Sequence, residues 1–181
     1  MAKNKKDDIV QAAYELFLEH GYDNSSIKLI AERAGVSQGL IYNFFESKEF
    51  LFDAVLSMAQ DSFQSKMIAV AQQYADAPPE EYIERYADVI LENLKEANFI
   101  LSSALMPKLR QRAEPLLKEY SNGVMQTIAP LFPGVPGELL YNIGSLLLAI
   151  SDSLLIDGDK ERAVSSGVFA VKMFMCYLNN P

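Results

Sequence analysis

The side chains best suited to recognition chemistry lie in one short stretch of the sequence, residues 38–43. Gln38 and Asn43 carry amides, and an amide can form two hydrogen bonds with the edge of an adenine. Gly39 lets the backbone approach a ligand closely, and the Tyr42 hydroxyl can bind a phosphate oxygen. In a helix that turns by about 100° per residue, these residues share one arc of about 140°. Such a polar arc is what a helix needs in order to read a DNA groove.

The opposite face of this predicted helix is apolar. Leu40, Ile41 and Phe44 lie there, so we expect them to pack into the interior. Lys48 begins the next predicted helix, where its charge and the free backbone N–H groups both favour a phosphate. The predicted DNA-contacting residues are Ser26, Lys28, Ser37, Gln38, Gly39, Tyr42, Asn43 and Lys48. For each of them a plainer role stays open, as a core aromatic, a solvent-facing polar side chain or an ordinary surface lysine.

Apolar residues recur at helical spacing along the whole chain, which predicts an all-α fold of about nine helices. The first helix ends near Gly21, because glycine is favoured just after a helix. Ser25 or Ser26, and then Ser37, can cap two helices that flank a tight turn at Gly35. This arrangement is a helix-turn-helix. The later predicted helices cover about 48–74, 80–95, 98–105, a segment up to about 131 with a kink or restart at Pro115, 137–156 and 160–178.

The charge of the chain argues against a nucleic-acid partner. The formal net charge of the 181 residues is −8. Residues 1–50 hold six Lys and Arg side chains against eight Asp and Glu, whereas DNA binding needs cations that replace the phosphate counterions. Only charges on the surface that faces DNA affect binding. The positions of these six cations therefore decide whether the chain can bind DNA despite its negative charge.

The compartment can also be predicted from composition. Cys176 is the single cysteine, so no disulfide forms within the chain, which fits a reducing cytosol. The longest apolar stretch, around residues 143–151, is too short to span a bilayer. We therefore predict a cytoplasmic protein that makes no membrane contact.

The segment SIKLIAERAGVSQGLIYNFFESKEFL, residues 26–51, resembles the DNA-binding region of the TetR family of bacterial repressors. The matching positions, which include the preceding helix, are Gly21-Tyr22, Ile30-Ala31, Ala34-Gly35-Val36-Ser37, Gly39, Tyr42, Phe45, Lys48-Glu49 and Leu51. The resemblance implies a three-helix DNA-binding domain at residues 1–48 and a helical bundle at 49–181 that binds a ligand and dimerises. Phe44 and Glu46 depart from the family, which often has His and then Lys or Pro at these positions.

Aromatic and methionine side chains of the second half could line a ligand pocket. The predicted set comprises Phe63, Met67, Tyr86, Phe99, Ser102, Met106, Tyr120, Met125 and Tyr141. The alternative for each of these residues is that it simply fills the core.

The last two predicted helices are apolar nearly all round, which is typical of a helix buried on both sides. One side would face its own subunit and the other a second copy of the chain. The predicted dimer residues are Tyr141, Gly144, Ser145, Leu148, Phe169, Met173, Cys176 and Tyr177.

These features together predict a transcription regulator. We expect a repressor that binds a pseudo-palindromic, double-stranded DNA operator as a homodimer and is released by an unidentified small molecule. A helix-turn-helix regulator without an inducer, acting as an activator or through a protein partner, is the alternative. An enzyme is not expected, because the sequence has no glycine-rich phosphate loop and no cluster with metal-ligand spacing. No cofactor or metal is predicted.

Overall fold

The structure is a computed structural model that describes residues 4–74, 76–103, 106–129 and 159–179. These ranges contain eight helices and no strand, so the all-α prediction is confirmed for them. The helices are α1 (Lys5–Asn24), α2 (Ile27–Ala34), α3 (Gln38–Phe44), α4 (Lys48–Gln73), α5 (Pro79–Glu92), α6 (Leu94–Ser103), α7 (Arg110–Ile128) and α8 (Lys160–Asn179). The helix predicted at 137–156 lies outside the described residues. None of the described helices is long and apolar enough to cross a membrane.

The end of α1 is shaped by Gly21. Its φ of 77° and ψ of 165° interrupt the helix, and one further turn then runs to Asn24, beyond the predicted end. Ser25 is completely buried just after this turn. Its hydroxyl lies 3.0 Å from the carbonyl oxygen of Leu16 and 2.8 Å from that of Gly21. Ser25 therefore ties the broken end of α1 together, and it is Ser26 that caps α2.

The turn between α2 and α3 follows the local rules that predicted it. The Ser26 side chain accepts a hydrogen bond from the backbone N–H of Leu29, and Ser37 does the same for Leu40, each at 3.2 Å. Gly35 ends α2 in the left-handed conformation, with φ 64° and ψ 40°. A residue with a Cβ would be strained there. The two helices are thus held at a fixed turn, and both pack against α1.

The described helices fall into two compact units. Unit 1 comprises Met1–Asp61 and Phe99–Leu117, and unit 2 comprises Ser62–Asn98 and Lys118–Pro181. The helix-turn-helix therefore shares its unit with the beginning of α4 and with a segment from much later in the chain. The predicted division into a DNA-binding domain, residues 1–48, and a ligand-binding and dimerisation domain, residues 49–181, is a division by function. It stays a prediction.

A cluster of aromatic rings forms the centre of unit 1. The Phe52 ring lies 6.1 Å from that of Phe17, 5.4 Å from that of Tyr22 and 5.9 Å from that of Phe99. Tyr14 adds an edge-on contact with Phe99 at 6.1 Å. These separations are typical of favourable aromatic pairs. We call the five residues the ring cluster; it joins α1, α4 and α6.

Unit 2 contains α5 and α8 packed against each other. Lys160 at the start of α8 lies 2.6 Å from a carboxylate oxygen of Asp88 and 3.6 Å from one of Glu84, both on α5. Lys66 of α4 donates to the buried carboxylate of Glu96, and its Nζ lies 2.8 Å from Oδ1 of Asn93. These ion pairs fix neighbouring helices within the unit.

Two sequence predictions need correction. Phe44, predicted to be buried, is 41% exposed, whereas its neighbour Phe45 is in the core. The reason is that α3 ends at Phe44, and the extended backbone of Phe45 turns that ring inward instead. At Pro115, where a kink or a restart is predicted, α7 continues as one helix, which excludes the restart.

Candidate DNA interface

The polar arc of α3 is exposed as the helical geometry predicts. Gln38, Gly39, Tyr42 and Asn43 all face solvent, with Tyr42 53% exposed. Ile41 is fully buried on the other side of the helix. One helix face is thus anchored in unit 1, and the other presents two amides, a hydroxyl and a stretch of bare backbone. A groove reader requires this combination.

The two capping serines flank this arc and are also exposed. Each side-chain oxygen of Ser26 and Ser37 accepts a backbone N–H, as described above, which fixes the start of its helix. A hydroxyl that accepts in this way can still donate its proton. Both serines can therefore support their helices and donate to a phosphate oxygen at the same time.

The cations of the helix-turn-helix are mostly engaged within the unit. Arg33 lies 2.9 Å from a carboxylate oxygen of Glu19, and this pairing is the main reason that the pKa of Arg33 is raised. Lys28 is well exposed and lies 3.9 Å from a carboxylate oxygen of Glu32. An exposed pair at this distance is weak, so Lys28 can readily exchange Glu32 for a phosphate.

Lys48 points inward rather than toward the open face. Its ammonium donates to the backbone carbonyl of Tyr22 and lies 4.0 Å from the centre of the Tyr22 ring. Burial lowers the pKa of Lys48 from its ordinary value. In this arrangement the side chain joins the start of α4 to the turn after Gly21. Its predicted phosphate contact stays a prediction, and would require the ammonium to leave this site.

Glu49 completes the same junction. Its Oε1 accepts a hydrogen bond from the Tyr22 hydroxyl at 3.1 Å, while burial raises the pKa of Tyr22. The pKa of Glu49 is lowered, first by a hydrogen bond from Ser47 and also by the one from Tyr22. The sequence analysis noted Gly21-Tyr22 and Lys48-Glu49 as separate motifs. The Tyr22 hydroxyl can donate to the Glu49 carboxylate, and the Lys48 ammonium can donate to a backbone carbonyl. This complementarity was the signal from which a contact between the two motifs could have been predicted.

A second junction ties the late segment of unit 1 to α4. The Arg112 guanidinium binds Asp53 with two nitrogens, and the Nε atom lies 3.0 Å from Oδ1. The same guanidinium stacks 4.3 Å from the centre of the Phe50 ring. Lys108 lies 3.1 Å from a carboxylate oxygen of Asp23. Sequence reasoning missed these contacts, because their partners are far apart in the chain.

The Glu49 carboxylate makes the stability of the protein depend on pH. A carboxyl whose pKa is lowered on folding contributes stability above its unfolded pKa of about 4.3. That contribution is lost as the pH falls through the folded pKa. We therefore expect Glu49→Gln to reduce the free energy of unfolding at pH 7 by more than it does at pH 3.

Urea unfolding of both proteins at the two pH values measures this difference. Glu46→Gln, a change at an exposed position just after α3, is the control and should show a smaller difference between the two pH values. A Glu49→Gln effect of the same size at pH 3 and pH 7 would contradict the assigned role of the carboxylate.

The described members of the predicted ligand set are divided between the two units. Phe63, Met67 and Tyr86 are buried in unit 2. In unit 1, Phe99 belongs to the ring cluster, and Ser102 and Met106 are half-buried. The side chains of Tyr120 and Met125, and Tyr141 altogether, lie outside the described part. The role of these residues as ligand contacts stays a prediction.

Among the predicted dimer residues, Phe169 on α8 is 67% exposed. Met173, Cys176 and Tyr177 also lie on α8, but their side chains are outside the described part of the structure. The remaining four, Tyr141, Gly144, Ser145 and Leu148, lie outside it altogether. Within the described residues no group of three or more His, Cys, Asp or Glu side chains could hold a metal ion.

Comparison with known proteins relates the helix-turn-helix segment to a known family. Residues 9–55, from the middle of α1 to the first turns of α4, match the family described as bacterial regulatory proteins, tetR family. The helix-turn-helix segment of the chain is of the TetR type. The matched stretch includes the whole helix-turn-helix and the α3 arc, so the TetR resemblance of the sequence is confirmed.

Curated relatives match the chain over part of their length. The HTH-type transcriptional repressor DhaR of Mycobacterium sp. (strain GP1) is 33% identical over 89 residues, which cover 49% of this chain and 44% of DhaR. The chain spans only 35% to 44% of the length of three such relatives.

Solved TetR structures match over nearly the full length and show the same fold. A structure from Mesorhizobium loti, ascribed to a TetR-family transcriptional regulator, has a TM-score of 0.71, 24% identity and 96% coverage of both chains. The multidrug binding protein EbrR, solved with imidazole, has a TM-score of 0.72 and 20% identity, covering 90% of this chain and 92% of EbrR. At these identities the likeness concerns the fold.

The two glycines of this TetR helix-turn-helix make a matched pair for mutation. Gly39 lies inside α3, where an added Cβ would meet only Oγ of Ser37, at 3.9 Å. We expect Gly39→Ala to raise the free energy of unfolding by about 0.5–1 kcal/mol and to weaken DNA binding, because the methyl group projects from the exposed arc.

Gly35→Ala should instead lower the free energy of unfolding by about 1–2 kcal/mol. Thermal melts and DNA titrations check both, and stronger DNA binding by Gly39→Ala would contradict the assigned arc.

Proposed function

We propose that this protein is a transcriptional repressor that binds a pseudo-palindromic DNA operator as a homodimer, with α3 in the major groove. The observation that carries the proposal is the α3 arc, where two amides and a hydroxyl are exposed on a helix whose opposite side is buried. The repressor DhaR, which is 33% identical to this chain over 89 residues, supports the choice of a repressor.

Each residue of the arc has a distinct part in the proposal. Gln38 and Asn43 pair with base edges, and Gly39 lets the α3 backbone come close to the groove. Tyr42 donates its hydroxyl to a phosphate, and Ser26, Ser37 and Lys28 bind the backbone on either side. Lys48 holds the start of α4 against the Tyr22 carbonyl, so its contribution is chiefly to position the helices.

A small molecule is the proposed signal for release. Phe63, Met67 and Tyr86 are buried in unit 2, and in this proposal their apolar and aromatic side chains contact a ligand with apolar surface. The multidrug binding protein EbrR, which has this fold and was solved with imidazole, supports a small-molecule partner. A ligand that favours the form unable to bind DNA would release the operator.

Dimerisation through α8 is the proposed means of presenting two α3 helices. Phe169 exposes two thirds of its surface on this helix, and a second copy of the chain would cover it. Two half-sites one helical turn of DNA apart would then be bound together. In this proposal the protein acts in the cytoplasm, without membrane contact and without enzymatic activity.

The decisive experiment is selection of bound duplexes from a random pool with the purified full-length protein. We expect enrichment of a two-fold symmetric sequence whose half-sites are about 10 base pairs apart, centre to centre. Binding should weaken as salt rises. Recovery of duplexes without any shared sequence, at low as well as moderate salt, would refute the proposed function.

Variants of Tyr42 and Lys48 separate direct contact from positioning. Tyr42→Phe removes one hydroxyl from an exposed ring, so operator affinity should fall while the melting temperature stays unchanged. Lys48→Ala should lower both, because the Tyr22 carbonyl loses its partner. If Lys48→Ala lowered affinity without lowering the melting temperature, the ammonium would be a phosphate contact and the positioning role would be wrong.

A further inference from the structure

Two cations from the later part of unit 1 contact the helices on either side of the helix-turn-helix. Lys108 lies 3.1 Å from a carboxylate oxygen of Asp23, in the last turn of α1. Arg112, in the first turn of α7, binds Asp53 on α4. The helix-turn-helix lies between these two points of attachment in the sequence. The later segment of unit 1 therefore holds both flanks of the part of the chain that is proposed to bind DNA.

The two ion pairs differ in strength. The Lys108 and Asp23 side chains are 76% and 71% exposed, and such a pair contributes little. The Arg112 and Asp53 side chains are only 31% and 29% exposed. The Arg112 Nε atom lies 3.0 Å from Oδ1 of Asp53, a second nitrogen donates to Oδ2, and the guanidinium also stacks on the Phe50 ring. A pair with two nitrogens has a specific geometry, so Arg112 fixes α4 more firmly than Lys108 fixes α1.

The start of α4 bears directly on where α3 is held. Only residues 45–47 separate the two helices. Lys48 joins the first turn of α4 to the Tyr22 carbonyl, and Asp53 follows in the next turn. A displacement of these turns would therefore be passed to the exposed arc of α3. Hydrogen bonds weaken steeply when their angle is changed, so contacts between amides and base edges tolerate little displacement.

We propose that Arg112 is a positioning residue for operator binding: by holding Asp53 and Phe50 it fixes the first turns of α4 and, through them, the orientation of α3 in the groove. The inference rests on the proposed operator binding by α3. Arg112 does not contact DNA in this proposal, because Asp53 and Phe50 already occupy its guanidinium. Asp53 acts through the same contact, although its negative charge by itself opposes DNA binding.

Asp53 provides the sharpest test, because charge and position predict opposite results. Asp53→Ala removes a negative charge from an acidic protein, and charge alone would strengthen binding to any duplex. The positioning role predicts instead that operator affinity falls about tenfold, which is within the range for residues of one salt-bridge network. Arg112→Ala should lower the affinity by a similar factor. The double variant should lose no more than Arg112→Ala alone, since both residues act through one contact.

The affinities are measured with the full-length chain, an operator duplex recovered by the selection described above and an unrelated duplex. A loss of folded protein would lower binding to both duplexes by the same factor. A displaced α3 lowers binding to the operator, whereas binding to the unrelated duplex depends on phosphate contacts and should not fall. The positioning role therefore predicts a loss of selectivity in Asp53→Ala and in Arg112→Ala.

Salt separates positioning from a direct contact with DNA. The slope of log affinity against log salt concentration should be the same for Arg112→Ala as for the unmodified protein. If Arg112 bound a phosphate, its removal would reduce the size of that slope by about one.

Lys108→Ala is the matched control. It removes a positive charge four residues before Arg112, but from the exposed pair with Asp23. Selectivity for the operator over the unrelated duplex should be unchanged in this variant. The comparison thus separates the loss of the Asp53 contact from the loss of a positive charge in the same segment.

Three results would overturn the inference: stronger operator binding by Asp53→Ala, equal losses on the two duplexes in Arg112→Ala, or a reduced salt slope in Arg112→Ala. Its failure can be distinguished from that of the proposed function. If selection enriches no sequence, both are wrong. If a symmetric operator is found but the Arg112 and Asp53 variants keep full selectivity for it, only the positioning role is wrong.

Discussion

Phe52→Ala is expected to lower the free energy of unfolding by about 3–5 kcal/mol, the usual cost of emptying a phenylalanine site in a core. Phe52 is completely buried at the centre of the ring cluster and contacts the rings of Phe17, Tyr22 and Phe99. The cavity would lie between α1, α4 and α6, so three elements of unit 1 lose packing together. Since a folded domain has only about 5–15 kcal/mol of stability in total, DNA binding should fail at physiological temperature. Urea unfolding measures the loss.

Phe50→Ala is the matched control for this prediction. It removes the same side chain two residues earlier on the same helix, but from a site that is 45% exposed. The loss should be clearly smaller, because less apolar area leaves the interior and no closed cavity forms. Equal losses for the two variants would show that the ring cluster is not the centre of the core.

The double variant Gln38→Ala with Asn43→Ala is expected to abolish sequence-selective binding while leaving the fold intact. Each two-pronged amide contact discriminates its base by about 1–3 kcal/mol, so removing both should reduce operator affinity by at least about 30-fold. Neither residue is buried, so the melting temperature should change little. Titration of the selected operator and of an unrelated duplex measures affinity and selectivity in parallel.

The selectivity ratio is the more informative result of that titration. Binding to the unrelated duplex depends on phosphate contacts and should be almost unchanged. Gln11→Ala provides a control, since Gln11 is an exposed amide on α1 whose Nε2 donates to Oε1 of Glu15 at 3.0 Å. A double variant that still prefers the operator as strongly as the unmodified protein would place base reading outside α3.

The helix-turn-helix could be predicted from sequence because local rules define it. Ser26 and Ser37 cap helices, and Gly35 adopts a conformation that disfavours other residues, so a few neighbouring residues determine each feature. The exposed arc of α3 followed from helical periodicity in the same way. Phe44 was misplaced because its burial depends on where α3 ends, and a shift of one residue moved Phe45 into the core instead.

The contacts that hold the helix-turn-helix in place could not be predicted in this way. Lys48 meets the Tyr22 carbonyl across 26 positions of sequence, and Arg112 meets Asp53 across 59. Such pairs depend on how whole helices pack, which no local pattern specifies. A lysine at a helix start is well placed to bind a phosphate, which is why the sequence predicts this role for Lys48. The sequence does not show that the Tyr22 carbonyl lies within reach of the Lys48 ammonium.

The ring cluster also bears on how this protein can be recombined with others. A chimera that joins residues 1–48 to the second half of a TetR protein would keep Phe17 and Tyr22 but leave behind Phe52 and Phe99. Its DNA-reading helices would inherit whatever side chains the new host supplies at those two positions. Under the proposed function we therefore expect operator specificity to transfer only between hosts that fill the same space, and a graft of this chain should carry Phe52 and Phe99 with it.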